Sequence, residues 1–258
     1  YDMVEDMKYF KSTTLSCFSP PVMIATFVIE IALAIYVGYR YKFNNITKLA
    51  IAILFFLAVF QLAEWNICEG SFGIDSLSWS RLGYVAITML PPLGFHLATR
   101  LAGDKRNGMI ATAYTSAGLF AAFFAFSGQG IVSQACLGNY VIFKSMPGAM
   151  ALYGAYYYGW LIVGTSYCLY MARQLKEKNR SRSLKALAVG YLSFMLPTTV
   201  ANLADPSTLA GIPSIMCGFA VMLAIILSGE VLPSYFRQPT MTGQLTSAGQ
   251  GARGKASK

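Results

Sequence analysis

KLAIAILFFLAVFQLAEWN, residues 48–66, decides the fold. From Leu49 to Phe60 it carries no polar side chain, and Leu, Ile and Phe fall on every side of a helix. A uniformly apolar run of this length matches the ~20 residues that cross the ~30 Å hydrocarbon layer of a bilayer. Six further stretches repeat the pattern, at about 22–39, 81–101, 108–127, 149–172, 185–203 and 209–229. The chain therefore reads as an all-α integral membrane protein, a seven-transmembrane helix bundle over residues 20–230. Outside it lie an N-terminal segment, 1–19, a loop at 127–148 and a basic tail, 231–258, expected to be disordered because it holds too little apolar surface to offset its ordering entropy.

The composition agrees, with 55% hydrophobic and 12% charged residues among 258 and a mean hydropathy of +0.51. An ordinary soluble domain carries about twice that charged fraction. The net charge of +9 is accordingly no sign of nucleic-acid binding, because its distribution follows the membrane. Sixteen of the 20 Lys and Arg residues fall on the connections after the first, third and fifth stretches or on the tail. The positive-inside rule makes those connections cytoplasmic and places the N-terminus outside and the C-terminus inside. Residues 1–19 contain no apolar core of the signal-peptide type, and the chain opens on Tyr1 rather than Met.

The longest outer loop, SGQGIVSQACLGNYVIFKSMPG at 127–148, reads as a small hairpin that would have to lean on the helix ends, since an isolated hairpin is marginal in water. Cys17, Cys68 and Cys136 share the outer side. A Cys68–Cys136 disulfide would pin the hairpin over the bundle; the alternative is unpaired, small apolar cysteines. Cys168 and Cys217 fall inside helices and read as packing residues.

Polar groups inside a bilayer cost enough to be informative. Glu30, in the middle of the first stretch, must be protonated, paired or facing water; it reads as a hydrogen-bonded acid or as a proton or ligand group. Glu64 and Trp65 close the second stretch beside the start of the third, where Glu64 and Arg81 can pair, either at a cavity mouth or as a plain structural anchor. With Tyr157, Asn202 and Asp205 they form the best cluster for a possible small ligand on the outer side. His96, the single histidine, reads as a hydrogen-bonded packing residue, without companions at metal-ligand spacing. Pro91 and Pro92, and likewise Pro197, should bend their helices and free carbonyls that need partners. Tyr153, Tyr157 and Trp160 make an aromatic stripe that lines a pocket or serves as belt and core packing. On the cytoplasmic side, Arg173, Lys176, Lys178, Arg180, Arg182 and Lys185 offer a surface for anionic lipid or a partner.

Several seven-helix functions do not fit. The last stretch has no lysine for a retinal Schiff base, and neither an acidic-Arg-aromatic triplet nor an Asn-Pro-x-x-Tyr segment is present. No Ser/His/Asp set, phosphate loop or metal pair supports an enzyme, and no cofactor is expected.

WSRLGYVAITMLPPLGFHLATRLAG at 79–103, RSRSLKALAVGYLSFMLPTTVANL at 180–203 and GIPSIMCGFAVMLAIIL at 211–227 carry a resemblance. Together they resemble the N-terminal seven-transmembrane sensor region of bacterial histidine kinases. The resemblance implies a sensor-like bundle in a bacterial inner membrane. In that family a cytoplasmic output domain follows; here fewer than thirty residues follow the last stretch, which implies a bundle standing without a kinase and acting through other membrane proteins. The expected role is a non-enzymatic sensor-like or accessory subunit. The alternatives are a small transporter or channel component and a purely structural subunit of a membrane complex.

Overall fold

The computed structural model describes residues 19–70, 73–136, 141–146, 148–205 and 211–237. They form helices α1 Pro20–Arg40, α2 Asn45–Glu69, α3 Ser76–Thr88, α4 Leu90–Ala102 and α5 Asn107–Phe126, then strands β1 Ser133–Cys136 and β2 Val141–Lys144. Helices α6 Ala149–Gln174, α7 Lys178–Ala204, α8 Ile212–Ile226 and α9 Leu232–Phe236 follow, with one π-helical turn, Leu227–Val231, joining α8 to α9. The segments 1–18 and 238–258, and with them Cys17 and most of the tail, lie outside the described residues.

Six helical segments are long and apolar enough to cross a membrane: α1, α2, the α3–α4 unit, α5, α7 and the α8–α9 unit. This makes the protein an all-α, multi-pass membrane protein by the physics of its helices. The 26-residue α6 is as long as the others but falls short of them in hydropathy, because AMALYGAYYYGW puts five polar-tipped aromatics in its first half.

Local chemistry sets the boundaries. Asn44 caps α2 by accepting from the Thr47 backbone, and Asp75 caps α3 by accepting from that of Ser78; such caps satisfy amide donors left open at a helix start. Gly70 and Gly103 end α2 and α4 in the left-handed conformation that glycine adopts without strain. The bend expected from Pro91 and Pro92 falls at Met89, where α3 gives way to α4. Pro92 has no N–H for the Thr88 carbonyl four residues back. That carbonyl accepts instead from the Tyr156 hydroxyl at 2.7 Å, and the Thr88 and Tyr153 hydroxyls bond at 3.1 Å. Tyr156 thus repairs the break, and Tyr153 ties α6 to the side chain of the same residue. Pro197, by contrast, sits inside an α7 that continues as one helix to Ala204.

Contacts between connections sort the molecule into two ends. At one, Tyr41 stacks on Phe236, Arg180 lies over Tyr235, Ser181 donates to the Ala172 carbonyl and Tyr167 donates to Asp104. This gathers the α1–α2, α4–α5 and α6–α7 connections with the end of α9, and it holds 13 of the described Lys and Arg residues, from Arg40 to Arg237. At the other end, β1 and β2 pair antiparallel with Cys136 opposite Val141. There Cys68 and Cys136 are joined in a disulfide, with Cα atoms 5.4 Å apart. Ile131, Val141 and Phe143 are buried beneath the hairpin, and the Val141 amide donates to Ser214 at the start of α8. The hairpin leans on the helix ends, as its isolated instability requires.

Candidate functional site

The hairpin roofs a cavity of about 450 Å³. Tyr84 and Ile87 of α3, Phe143 and Lys144 of β2, Tyr153, Tyr157 and Tyr158 of α6, and Met216 and Cys217 of α8 line it. It exists because α6 packs extensively against α4 and α7 and only sparsely against α5 and α8. The volume falls in the range of small-molecule pockets, and the predominantly apolar wall with a few polar tips has the usual make-up of one.

The rings hold one another in fixed positions. Tyr84 meets Phe143 edge-on with centroids 5.0 Å apart, Phe124 at 4.5 Å and Tyr153 at 5.8 Å, and Phe124 is edge-on to Tyr153 at 4.9 Å. Each such pair contributes ~0.5–1.5 kcal/mol beyond its burial. The Tyr84 hydroxyl lies 3.9 Å from the Met150 sulfur, and that of Tyr153 is taken by Thr88. Two of the cavity's polar tips are therefore committed to the protein.

Of the outer cluster expected from sequence, only Tyr157 lines this cavity. Glu64 is 1% exposed and sits in the next compartment, a gap of about 10 Å³ bordered by Thr26, Gln61, Ser214 and Gly218. The gap is about the size of one water molecule. Glu64 is within hydrogen-bonding reach of Ser214, the residue that receives the hairpin's Val141 amide. The expected Glu64–Arg81 ion pair is not formed among the described residues, since Glu64 turns into the α1–α2–α8 seam and one of its oxygens has no hydrogen-bond partner there. Arg81 remains half-buried on α3. Trp65 packs at the edge of the core, and Asn202 and Asp205 end α7, each with a partner of its own rather than a place on the cavity wall.

Glu30 departs from expectation in a different way. It is completely buried on α1, and neither carboxyl oxygen has a hydrogen-bond partner among the described residues, so the hydrogen-bonded acid, one of the two readings of this residue, is not what the structure contains. Cys217 is within electrostatic reach of both Glu30 and Glu64, so the two acids flank one stretch of α8. His96 has the expected hydrogen bonds: Arg100 donates to its Nε2 at 3.1 Å, which leaves the proton on Nδ1, 3.2 Å from the Tyr114 hydroxyl. The aromatic stripe divides, for Trp160 turns from the cavity to donate to Ser116 on α5. No group of three His, Cys, Asp or Glu side chains stands close enough to hold a metal ion among the described residues.

The basic surface is partly occupied by the chain itself. Arg182 pairs with Glu230, which also accepts from Ser234, and Arg180 pairs with Glu177 at 2.9 Å while its guanidinium lies over the α4 terminus at Gly103. Arg173, Lys176, Lys178 and Lys185 are exposed, and no ion pair engages them among the described residues. Beside them, hydrogen bonds from Arg106 and then Tyr167 hold the Asp104 carboxyl below the usual carboxylate range.

Sequence reasoning passed over Tyr84, Phe143, Lys144 and Met216. The local signal was the tyrosine run 156–158 and the Val-Ile-Phe segment of β2, each legible as apolar or aromatic but not as one wall. Comparison with protein-family models and with curated proteins finds no match for this chain.

Proposed function

We propose that the protein is a non-enzymatic, sensor-like membrane subunit that binds a small ligand in the roofed cavity and acts through contact with other integral membrane proteins. The observation that carries this reading is the pairing of a rigid aromatic cavity at one end with exposed cations at the other. In this reading α6 is the seventh span, its tyrosines turned to the cavity and to the α3–α4 break rather than to lipid. The N-terminus is outside and the basic end cytoplasmic, in a bacterial inner membrane, where anionic lipid adds ~1 kcal/mol per nearby cation. The likeness to the membrane region of histidine kinases supports the same role.

A transporter or channel component is the second reading. It is favoured by a narrow gap of about 20 Å³ that continues inward from Tyr157 and Cys217 to Tyr191 and Leu227. Tyr191 closes that gap, its hydroxyl lodged against Gly94, so a path through it would need α4 and α7 to separate.

Orientation is tested with single cysteines in place of the exposed Lys176 and Gln129, in a background lacking Cys17, Cys168 and Cys217. An impermeant maleimide should label Gln129→Cys and spare Lys176→Cys in intact cells; the reverse overturns the topology. Function is tested by cross-linking in native membranes, comparing the unaltered chain with Gly154→Leu, which fills the cavity. A change in the cross-linked neighbours supports ligand-dependent contact, whereas an uncross-linked monomer in both cases overturns it.

A further inference from the structure

The cavity has walls of one character and a mouth of one charge. Tyr84, Phe143, Tyr153, Tyr157 and Tyr158 surround it with rings, and the one charged side chain on its lining is Lys144, the exposed last residue of β2. No Asp or Glu lines it among the described residues. Tyrosine faces attract cations, so rings alone would suit a quaternary ammonium. Lys144 reverses that preference, because a guest cation would meet a like charge with no carboxylate on the wall to offset it. A wholly neutral guest would fill the walls and leave the ammonium without a partner. An anion at the mouth of an otherwise apolar body satisfies both.

Gly154 supplies the width. A Cβ built there meets nothing within 4 Å, so the α6 wall is open at that position. Resting on the ligand-cavity reading above, we infer that the outer cavity takes a small amphipathic carboxylate, with its aromatic or branched apolar body among the tyrosines and its carboxylate paired with Lys144 at the mouth. The hairpin then contributes a recognition group, and the Cys68–Cys136 bridge holds that group over the walls it serves.

The experiment is titration of the purified full-length protein in detergent with 2-naphthoate, 2-naphthamide and 2-naphthyltrimethylammonium. The carboxylate should bind most tightly, and Lys144→Gln should weaken it about tenfold, the equivalent of ~1.4 kcal/mol, while leaving the amide unchanged. Lys144→Glu, at an exposed position that does not threaten folding, should turn the preference toward the ammonium. Gly154→Leu should abolish carboxylate binding. Tighter binding of the amide or the ammonium to the unaltered protein, or indifference of the carboxylate to Lys144→Gln, overturns the ligand class. If the competing probe is still blocked by Gly154→Leu, the cavity reading survives alone; if no probe gives binding that Gly154→Leu removes, both fail.

Discussion

The two ends of the bundle solve the problem of buried and half-buried polar groups in opposite ways. At the basic end several polar groups find partners: Arg106 with Asp104 at 2.7 Å, Tyr167 with the same carboxylate at 3.0 Å, Arg182 with Glu230, and the Ser183 hydroxyl with the Val231 carbonyl at 3.0 Å. Midway along α1, Glu30, and toward the hairpin end one oxygen of Glu64 and the Gln61 amide nitrogen, are buried without a hydrogen-bond partner among the described residues. That end is held by a covalent bridge and aromatic packing instead. The basic end fixes three connections and the end of α9 through such bonds, while Arg173, Lys176, Lys178 and Lys185 stay exposed without an ion pair and the buried Ser228 hydroxyl has no hydrogen-bond partner among the described residues. A region that leaves polar groups unsatisfied and encloses empty volume gives up stability, a trade expected where something else is to be bound.

The largest effect should come from cutting the covalent tie. The bridge closes a loop spanning 68 residues, which the chain-entropy model values at about 4 kcal/mol. Cys68→Ser or Cys136→Ser should lower Tm markedly in non-reducing detergent, and reductant should do the same to the unaltered protein. An unchanged Tm in both would show that hairpin packing alone holds this end.

Glu30→Leu should act in the other direction. It replaces an unpartnered acid with an apolar group of similar length, and removing such a buried orphan is worth about 1–3 kcal/mol. A rise in Tm would mark Glu30 as kept for a purpose other than stability; a fall would reveal a partner for it and narrow the contrast between the ends.

At the seam between them, Tyr156→Phe deprives the Thr88 carbonyl of the donor that replaces Pro92. A loss of about 1 kcal/mol is expected. The control is Tyr158→Phe, on the same helix but without that bond, which should be nearly silent.

The smallest effects belong to the basic end, because its charges are accessible. The Arg182–Glu230 pair is about half exposed on both sides, so Arg182→Ala should cost under ~1 kcal/mol and less in high salt. Asp104 adds a pH dependence. Its folded-state pKa lies below the unfolded value, so its contribution is present above about pH 4 and lost as pH falls through the depressed value. Thermal melts in acid should therefore show a steeper loss for the unaltered protein than for Asp104→Asn.

How much of this was legible in the sequence varies with the range of the interaction. The helices follow from the length of apolar runs, but hydropathy alone began α2 and α3 late, at about 48 and 81 rather than at Asn45 and Ser76, because the caps Asn44 and Asp75 are polar and lie outside the runs. Pro91 and Pro92 foretold a break and an unsatisfied carbonyl, but not that Tyr156 would repair it. The Cys68–Cys136 bridge and the hairpin were legible because the topology left both cysteines on the same side. The cavity was not: Glu64, Arg81, Asn202 and Asp205 were grouped with Tyr157 by their positions along the apolar stretches, yet position along a helix does not specify which way a side chain turns about its axis.

The sequence by itself determined that this is a multi-pass helical membrane protein with its cations gathered at one end, because hydropathy and charge act residue by residue along the chain. Only the tertiary structure decided that α6 packs on α4 and α7 rather than on α8, that Glu30 and Glu64 are enclosed rather than ion-paired, and that Tyr84, Phe143, Lys144 and Tyr157 line one space. Helix rotation and tilt are set by packing against neighbours distant in sequence, and no local pattern encodes them.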